Sequence, residues 1–307
     1  MTTYLWRRLA LLGPMVVLIS LVVFCAIRMI PVDPVSLVLG PFAGPGQREL
    51  ARQKLGIDKP LYIQYAIFLK NAAHGDFGRS IRSGKQVTLL IRNTLPNTLL
   101  LGLTAFTIAS MIAIPMGLLA AVKRNKVVDQ CAMGFAMLSM AIPHFWLGLI
   151  LILVFALNLH WLPATGIGTW KHLILPSVTL GMEGAALIAR MTRSAVLEVL
   201  RQDYVRTARA KGLRERRVMF EHTLRNALVP IVSLLGLNFG RLVGGAVIVE
   251  TVFGWPGMGR LLVDSILNRD YPVVQAVIIV LGISVMLANL LTDTLYAFLD
   301  PRIKYAN

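Results

Sequence analysis

Long apolar runs separated by short polar connections dominate the pattern along this chain. Six runs are each long enough to cross a hydrocarbon core of about 30 Å at about 1.5 Å per residue. Proline lies inside the second, third and fifth runs, where membrane helices tolerate it, often at a kink. The pattern predicts an all-α membrane protein with six transmembrane helices, at Leu9–Ile30, Thr98–Val122, Gln130–Leu157, Leu173–Met191, Ala227–Val249 and Pro272–Leu299.

The composition supports a membrane protein over a soluble one. Of the 307 residues, 56% are hydrophobic and 15% charged, whereas soluble domains carry about 45–50% apolar and about 25% charged residues. The first run follows Arg7 and Arg8, as the apolar region of a signal peptide would. It is nevertheless longer than the usual region of about 7–15 residues, and no small-residue cleavage site follows it. We therefore expect an uncleaved first membrane helix.

The basic residues predict the orientation of the chain. A formal charge of +16 could indicate a nucleic-acid partner, but the basic residues lie between the apolar runs without interleaved aromatic residues. Connections 123–129 and 190–225 hold 13 basic residues, against 3 in the connections on the other side. The positive-inside rule then places both termini and the 190–225 connection in the cytoplasm. Because membrane orientation accounts for the charge, no nucleic-acid partner is expected. The long 31–95 connection carries nine more basic residues and would face outward, where this rule applies weakly to long segments.

The chain accordingly divides into a first transmembrane helix (1–30), an outward helical insert (31–95) and a five-helix core (96–307). The insert contains a predicted amphipathic helix that begins at Pro60 and ends in the turn residues Gly75–Gly78. This helix is either a cap on the membrane domain or a docking surface for an external partner. Its apolar face comprises Leu61, Tyr65, Phe68, Leu69 and Ala72.

A polar, basic segment at about 200–226 within the core is predicted to form two short cytoplasmic helices that meet at Gly212. Glycine breaks helices and permits a positive φ, so Gly212 should adopt a conformation, or make a close contact, that a side chain could not share. The segment is either an ordinary solvated loop or an elbow that fits a groove on a cytoplasmic partner.

The same segment resembles a known family. It has Arg206-Thr207-Ala208 where the general pattern of ABC importer permeases has E-A-A, and Gly212 aligns with the glycine of that pattern. His222-x-Leu224-Arg225 replaces I-x-L-P, with the proline displaced to Pro230. This variant is similar to the dipeptide/oligopeptide/nickel branch. The other blocks that resemble this branch are Pro31-x-Asp33-Pro34, Gly75-Asp76-Phe77-Gly78-x-Ser80, Thr94-Leu95-Pro96-Asn97-Thr98, Ile174-Leu175-Pro176-Ser177, Phe253-Gly254-Trp255-Pro256-Gly257-Met258-Gly259, Arg269-Asp270-Tyr271-Pro272 and Asp300-Pro301-Arg302.

The resemblance implies a type I importer permease in a bacterial inner membrane. Its partners would be a second permease, two ATP-binding subunits and a periplasmic or lipid-anchored binding protein, besides membrane lipid. The chain has no G-x-x-x-x-G-K-[ST] phosphate cradle, so separate subunits would bind ATP and Mg²⁺ and hydrolyse the nucleotide. No cofactor, metal site or enzyme activity of its own is expected. The resemblance makes the loop a coupling helix, with Ala208, Gly212, Leu213, Arg214, Glu215 and Arg216 as its site residues.

Charges at membrane depth mark a second candidate site. Glu183 in the fourth run and Arg241 in the fifth have opposite signs. Burying either alone would cost about 2.5–3.5 kcal/mol on insertion scales. The two line a translocation path, form a structural ion pair or, if the spans end elsewhere than predicted, extend from helix ends to the interface. Four further charges lie nearer the span ends and are expected to extend to the interface: Arg28, Arg190, Arg193 and Asp293.

Two other classes and the choice of cargo stay open at this point. A secondary transporter would usually show an inverted repeat and a midplane ion site, and an intramembrane enzyme would need a paired catalytic set; neither pattern is present. Peptides are the cargo that the resemblance favours. Nickel complexes or glutathione-type molecules are the alternatives.

Overall fold

The structure, a computed structural model, describes residues 2–29, 35, 39, 44–55 and 58–299. Within these ranges the regular elements are helices, apart from one isolated bridge between Arg79 and Gln86. In chain order they are α1 (Thr2–Arg28), α2 (Pro45–Leu55), α3 (Leu61–Ala73), α4 (Val87–Val122), α5 (Val127–Ala141), α6 (His144–Leu151, continued as a π-helix over Ile152–Asn158), α7 (Lys171–Leu200), α8 (Asp203–Ala210), α9 (Glu215–Arg217, continued as a π-helix over Val218–Leu224), α10 (Arg225–Val252), α11 (Met258–Leu267) and α12 (Tyr271–Leu299).

Six membrane spans fit the described helices by length and composition. Four helices qualify alone, over Ala10–Arg28, Val87–Val122, Lys171–Leu200 and Tyr271–Thr292, and two bent pairs complete the set. The second bent pair, Pro230–Gly240 with Gly244–Val252, turns by 59° within α10. The prediction of an all-α membrane fold is confirmed.

The predicted third span is not one kinked helix. α5 and the α6 segment meet at an angle of 107° across Ile142 and Pro143. Ile142 adopts φ −88° and ψ 121°, the extended conformation that a following proline imposes on its neighbour. Proline thus breaks this helix completely, whereas Pro115 and Pro230 lie within continuous helices.

Two spans are longer than their apolar runs. α4 begins eleven residues before the predicted Thr98, because Val87 and Ile91 are buried against Met258, Val273 and Val277. Arg92, Asn93, Thr94 and Asn97 interrupt the apolar sequence between Ile91 and Thr98, so a search for uninterrupted apolar runs missed this first part of the helix. α7 extends past Met191 to Leu200, so it reaches the segment that contains Gly212 without a break.

Small residues bring α4 and α7 into close contact. A Cβ at Gly181 of α7 would lie 2.7 Å from the Ala105 carbonyl oxygen of α4. At the other end of the contact, Gly117 of α4 faces Ala189 and Thr192 of α7 without space for a side chain. Small residues spaced four apart let membrane helices approach backbone to backbone. The residues with this spacing are Ala105, Ala109, Ala113 and Gly117 on α4, and Gly181, Ala185 and Ala189 on α7.

The predicted insert helix exists as α3, between Pro60 and the positive-φ Gly75. It packs along α1: the Tyr65 hydroxyl lies 2.8 Å from Ser20 Oγ, and the rings of Tyr65 and Phe24 meet edge to face. Arg28 does not simply extend to the interface, because its Nη2 donates to Gln64 Oε1 at 2.8 Å. Of the predicted apolar face, Leu61 is exposed, while Tyr65, Phe68, Leu69 and Ala72 are half-buried.

A buried carboxylate fixes the connection between α10 and α11. Glu250, which is completely buried, accepts hydrogen bonds from Thr98 Oγ1 (2.6 Å) and the amides of Gly259 (2.7 Å) and Arg260 (3.2 Å). Thr98 Oγ1 in turn accepts from the Met258 amide. Three amide groups at the start of α11, which have no partner within the helix, are satisfied in this way.

The sequence Phe253-Gly254-Trp255-Pro256-Gly257 in the same connection predicts a tight turn anchored by a tryptophan at the membrane interface. In the structure Trp255 is buried, at 1% exposure. Its Nε1 donates to the Asn97 carbonyl at 3.0 Å, and Asn97 Nδ2 donates to the Pro256 carbonyl at 2.8 Å. Gly254 adopts φ +58°. The tight turn predicted here is therefore present, and its tryptophan anchors the turn to α4 instead of to the interface.

A second buried carboxylate joins α5 to α7. Asp129 accepts two hydrogen bonds from Arg193, Nε to Oδ1 at 2.6 Å and Nη2 to Oδ2 at 2.7 Å. Its Oδ2 also accepts from the Asn125 amide at 2.9 Å. The prediction that Arg193 extends to the interface is therefore wrong, because a bidentate partner holds the guanidinium against α5.

Arg193→Met should destabilise the protein by about 3–5 kcal/mol, because it leaves the Asp129 carboxylate, only 4% exposed, without a cation. Adding Asp129→Asn should recover part of the loss. Thermal unfolding of the purified protein in detergent measures both effects. Arg190→Met, an exposed arginine on the same helix, is the matched control. Equal melting temperatures for Arg193→Met and Arg190→Met would contradict the assignment.

Candidate functional site

The break at Pro143 opens a polar cleft between α5, α6, α7 and α10. Its volume is about 450 Å³, and its apolar wall includes Met140, Leu180, Leu187 and Leu242. The polar residues that line it are His144, Glu183 and Asn238. Pockets of about 300–1,000 Å³ with apolar walls and few polar groups are typical ligand sites.

His144 is the first residue of α6, and the proline break points its ring at α7. Its Nε2 lies 2.9 Å from Glu183 Oε2, and its Nδ1 lies 3.2 Å from the Thr179 carbonyl oxygen. The Glu183 side chain is 42% exposed and that of His144 28%. Glu183 therefore lines the cleft, with a histidine as a hydrogen-bonding partner.

The other half of the predicted pair, Arg241, lies outside the residues whose side chains the structure describes. Its pairing with Glu183 stays a prediction. The side chain of Asp293 also lies outside the described ones, so its expected extension to the interface stays a prediction. On α10, Asn238 is the described residue that faces Glu183 and His144 across the cleft, and its Nδ2 donates to the Leu234 carbonyl at 3.1 Å.

α8 and α9 form the predicted elbow, and Gly212 closes the first of them. The Leu213 amide donates to the Ala208 carbonyl and the Gly212 amide to the Arg209 carbonyl, the two bonds of a Schellman motif. Gly212 has φ +76°, and a Cβ there would meet no atom within 4 Å. The predicted positive φ is confirmed, and backbone conformation, not crowding, is what requires glycine.

An apolar cluster holds the two arms of the elbow together. Val205 and Ala208 of α8 pack on Val218, with half-buried Leu213 at the edge. Val199 and Leu200 at the end of α7 join the same cluster, so the elbow is attached to α7 by side-chain packing as well as by the chain.

The exposed side of the elbow is strongly charged. Arg214, Glu215 and Arg216 are all exposed, whereas Ala208 and Leu213, also predicted as site residues, face the apolar cluster and shape the elbow from within. Arg214, Arg216 and Arg217 line a surface depression beside Phe220, which is 53% exposed.

One ion pair spans the Gly212 turn. Arg209 Nε donates to Glu215 Oε2 at 3.1 Å, and its hydrogen bonding to Glu215 holds the pKa of that carboxyl below its ordinary value. A lowered folded-state pKa stabilises the elbow at neutral pH, and this contribution is lost as the pH falls through that value. The pair is exposed, so it contributes less than about 1 kcal/mol. Apolar packing and the backbone conformation of Gly212 therefore determine the conformation of the elbow more than this ion pair does.

Three residues of these sites were not singled out from the sequence. His144 has no metal-type spacing to another histidine, so its only signal in the sequence is that it directly follows Pro143 inside an apolar run. Asn238 lies in the fifth apolar run but carries no charge, so a search for charges at membrane depth did not select it. Glu250 was placed one residue beyond the predicted fifth span, yet it is buried at the end of α10.

Gly212→Val should disorder the elbow, because left-handed backbone costs an L-residue about 1–2 kcal/mol and a β-branched residue adopts it least readily. Hydrogen exchange of the amides in 203–217 should become faster, while exchange in α4 and α7 stays the same. Gly134→Val on α5 is the control, since its Cβ also meets open space but its φ is not positive. Unchanged exchange in 203–217 would contradict the stated role of Gly212.

The described residues thus form up to six helical spans, a polar cleft at a broken helix and a charged elbow after α7. In comparisons with solved structures, the chain is similar to the MetNI methionine ABC transporter in inward facing conformations, with TM-score 0.59 and 21% identity over 69% of this chain and 97% of that chain. It is also similar to an amino acid ABC transporter crystallised with histidines, with TM-score 0.52 and 19% identity over 70% of this chain and 95% of that one. The fold is that of type I ABC importer permeases.

The chain belongs to the family described as binding-protein-dependent transport system inner membrane component, whose model matches residues 113–305. The model for the N-terminal part of such membrane components matches residues 1–102. The glutathione transport system permease protein GsiC of Escherichia coli (strain K12) is 46% identical over 305 residues, 99% of this chain and 100% of the relative. GsiC of Shigella dysenteriae serotype 1 (strain Sd197) matches to the same extent. The protein is thus an integral inner-membrane permease of the ABC importer type, from the peptide/nickel family.

Proposed function

We propose that the chain forms half of the translocation pathway of an importer for glutathione and related short peptides. The main support is the full-length identity of 46% to permeases named for glutathione transport. The resemblance seen in the sequence favoured dipeptides and oligopeptides, with nickel complexes or glutathione-type molecules as the alternatives. The names of the relatives support glutathione among these. The cleft of about 450 Å³ beside α7 has the size of a site for such a cargo.

The proposed complex contains a second, homologous permease, two ATP-binding subunits and a periplasmic or lipid-anchored binding protein. ATP and Mg²⁺ would be bound by the ATP-binding subunits. The N-terminus, the elbow and the C-terminus would lie in the cytoplasm, and the insert that contains α3 outside. The asymmetry of 13 basic residues against 3 in the short connections supports this orientation.

Labelling tests the topology. A cysteine introduced at exposed Lys211 in the elbow should stay unmodified by an impermeant thiol reagent added to intact cells, and a cysteine at exposed Tyr62 in α3 should react. Cys25 and Cys131 are both free and exposed and must first be replaced. Modification at Lys211 in sealed cells would overturn the orientation.

The elbow is the proposed contact with the ATP-binding subunits. Its exposed face offers Arg214, Glu215 and Arg216 on a short rigid support. α7 leads directly from the elbow to Glu183 in the cleft, 17 residues from Leu200 and so about 26 Å along the helix. α7 is therefore one continuous helix that would transmit a movement of the ATP-binding subunits to the cleft.

Uptake and ATP hydrolysis by the reconstituted complex test this function. Proteoliposomes should accumulate labelled glutathione or a dipeptide only with binding protein and ATP, and loaded binding protein should stimulate hydrolysis. Gly212→Val should abolish most of that stimulation while the subunits still insert, because its elbow is misplaced. Gly134→Val should retain it. Wild-type stimulation in Gly212→Val would make the elbow a passive connection, and uptake of nickel without either peptide would overturn the proposed cargo.

Glu183 and Arg241 are proposed to be coupled in the same pathway. If so, losing one partner leaves the other charge buried and costly, and the double variant Glu183→Gln/Arg241→Met should lose less transport and assembly than the sum of the single variants. Additive effects would mean that the pair does not exist.

A further inference from the structure

The turn over residues 79–86, directly before α4, carries a concentration of positive charge and is called the basic turn below. It contains Arg79, Arg82 and Lys85 and no acidic residue. All three side chains are exposed, and none of them forms an ion pair within the described part of the chain. The positive-inside rule does not account for these charges, because it concentrates basic residues on the cytoplasmic side, whereas the proposed orientation puts this turn outside.

A buried carboxylate from a distant part of the chain holds the basic turn in place. Asp270, 4% exposed and directly before α12, accepts hydrogen bonds from Ser80 Oγ at Oδ2 and from the Ile81 amide at Oδ1, the latter at 3.0 Å. Within the turn, the Ser80 amide donates to the Lys85 carbonyl at 2.9 Å and the Gly84 amide to the Ser80 carbonyl at 3.0 Å. A partner would therefore meet the cations on a preformed surface, which reduces the entropy lost on binding.

The length of α4 places the basic turn beyond the lipid headgroups. The predicted apolar run of this helix begins at Thr98, eleven residues after the helix starts at Val87, which corresponds to about 16 Å at about 1.5 Å per residue. The headgroup layer on each side of a bilayer is only about 5–7 Å deep, so the start of α4 lies clear of it even at the average tilt of about 20°. The three cations are thus presented to water outside the membrane.

An acidic protein surface is the partner that fits cations at this position. Anionic lipid headgroups lie below the turn, and the proposed complex has one water-soluble component on this side, the binding protein. Complementary charge steers such a partner toward its docking position. α3, the other candidate for an external contact, packs along α1 and has Lys70 as its single charged residue.

We propose that the basic turn is a docking element for an acidic patch on the binding protein. Arg79, Arg82 and Lys85 contact that patch, whereas Ser80 and Asp270 position the turn. The proposal rests on the proposed function and adds to it the surface of this chain that receives the binding protein and the chemistry of the surface that it receives.

Binding of the cargo-loaded binding protein to the complete complex in nanodiscs tests this role. The variant Arg79→Gln/Arg82→Gln/Lys85→Gln should weaken binding roughly tenfold, the combined range for three exposed charge pairs. Most of the loss should come from slower association, because charges at the edge of an interface act mainly on encounter. Added salt should weaken wild-type binding, and it should weaken binding of this variant less.

Two further variants separate docking from a general effect of charge. Ser80→Ala keeps every charge but removes one of the two bonds to Asp270, so it should weaken binding by a smaller factor. A control that removes three exposed lysines from other outward segments should leave the affinity nearly unchanged: Lys59→Gln/Lys70→Gln/Lys171→Gln. Equal weakening in the control and in the basic-turn variant overturns the proposal, as does a basic-turn variant with wild-type affinity, association rate and salt dependence.

The lipid and the orientation are tested separately. The effect of the basic-turn variant should be the same in nanodiscs of phosphatidylcholine alone and in nanodiscs that also contain phosphatidylglycerol; an effect confined to the latter would assign the turn to lipid and overturn the proposal. With Cys25 and Cys131 replaced, a cysteine at Lys85 should react with an impermeant thiol reagent in intact cells, and a lack of reaction would also overturn it. A wild-type complex that neither binds its binding protein nor imports cargo would instead contradict the proposed function itself.

Discussion

The close approach of α4 and α7 is the constraint on which the rest of the structure depends. Without a hydrophobic effect between helices in lipid, contact must come from van der Waals packing, which small residues allow by exposing the backbone. Gly181 against Ala105, and Gly117 against Ala189, leave no space for larger residues at either end of the contact. This pair fixes α7, and α7 carries both Glu183 and the elbow.

Buried carboxylates complete the framework around that pair. Asp129 ties α5 to α7 through Arg193, and Glu250 ties α10 and α11 to α4 through Thr98. Each has its hydrogen bonds satisfied, as buried charge requires. The cleft differs: Glu183 is half-exposed and its partner His144 belongs to a separate helix segment. Polar groups are thus fully buried in the framework, where they hold helices together, and partly exposed in the cleft.

Much of the fold could be predicted from the sequence. The six spans follow from apolar length, α3 from Pro60 and its apolar face, and the positive φ of Gly212 from a glycine between two helix-prone segments. Each of these signals is local, because propensity and hydropathy act within one or two turns.

What the sequence could not supply depends on partners distant in the chain. The start of α4 at Val87 depends on burial against α11 and α12. The pairing of Arg193 with Asp129, the burial of Trp255 and the turn of His144 toward Glu183 need three-dimensional neighbours 39 to 158 residues away. A proline inside an apolar run indicated a kink at Pro143, but not a break of 107°.

We propose above all that the elbow transmits conformational changes of the ATP-binding subunits to α7. Cross-linking tests it most directly. With Cys25 and Cys131 replaced, a single cysteine at Arg216 should cross-link to the ATP-binding subunit in the assembled complex, and Gly212→Val should abolish the product. A cysteine at Tyr62 in α3 gives the background. Cross-linking from Arg216 at that background level, in a complex that still imports its cargo, would contradict the account.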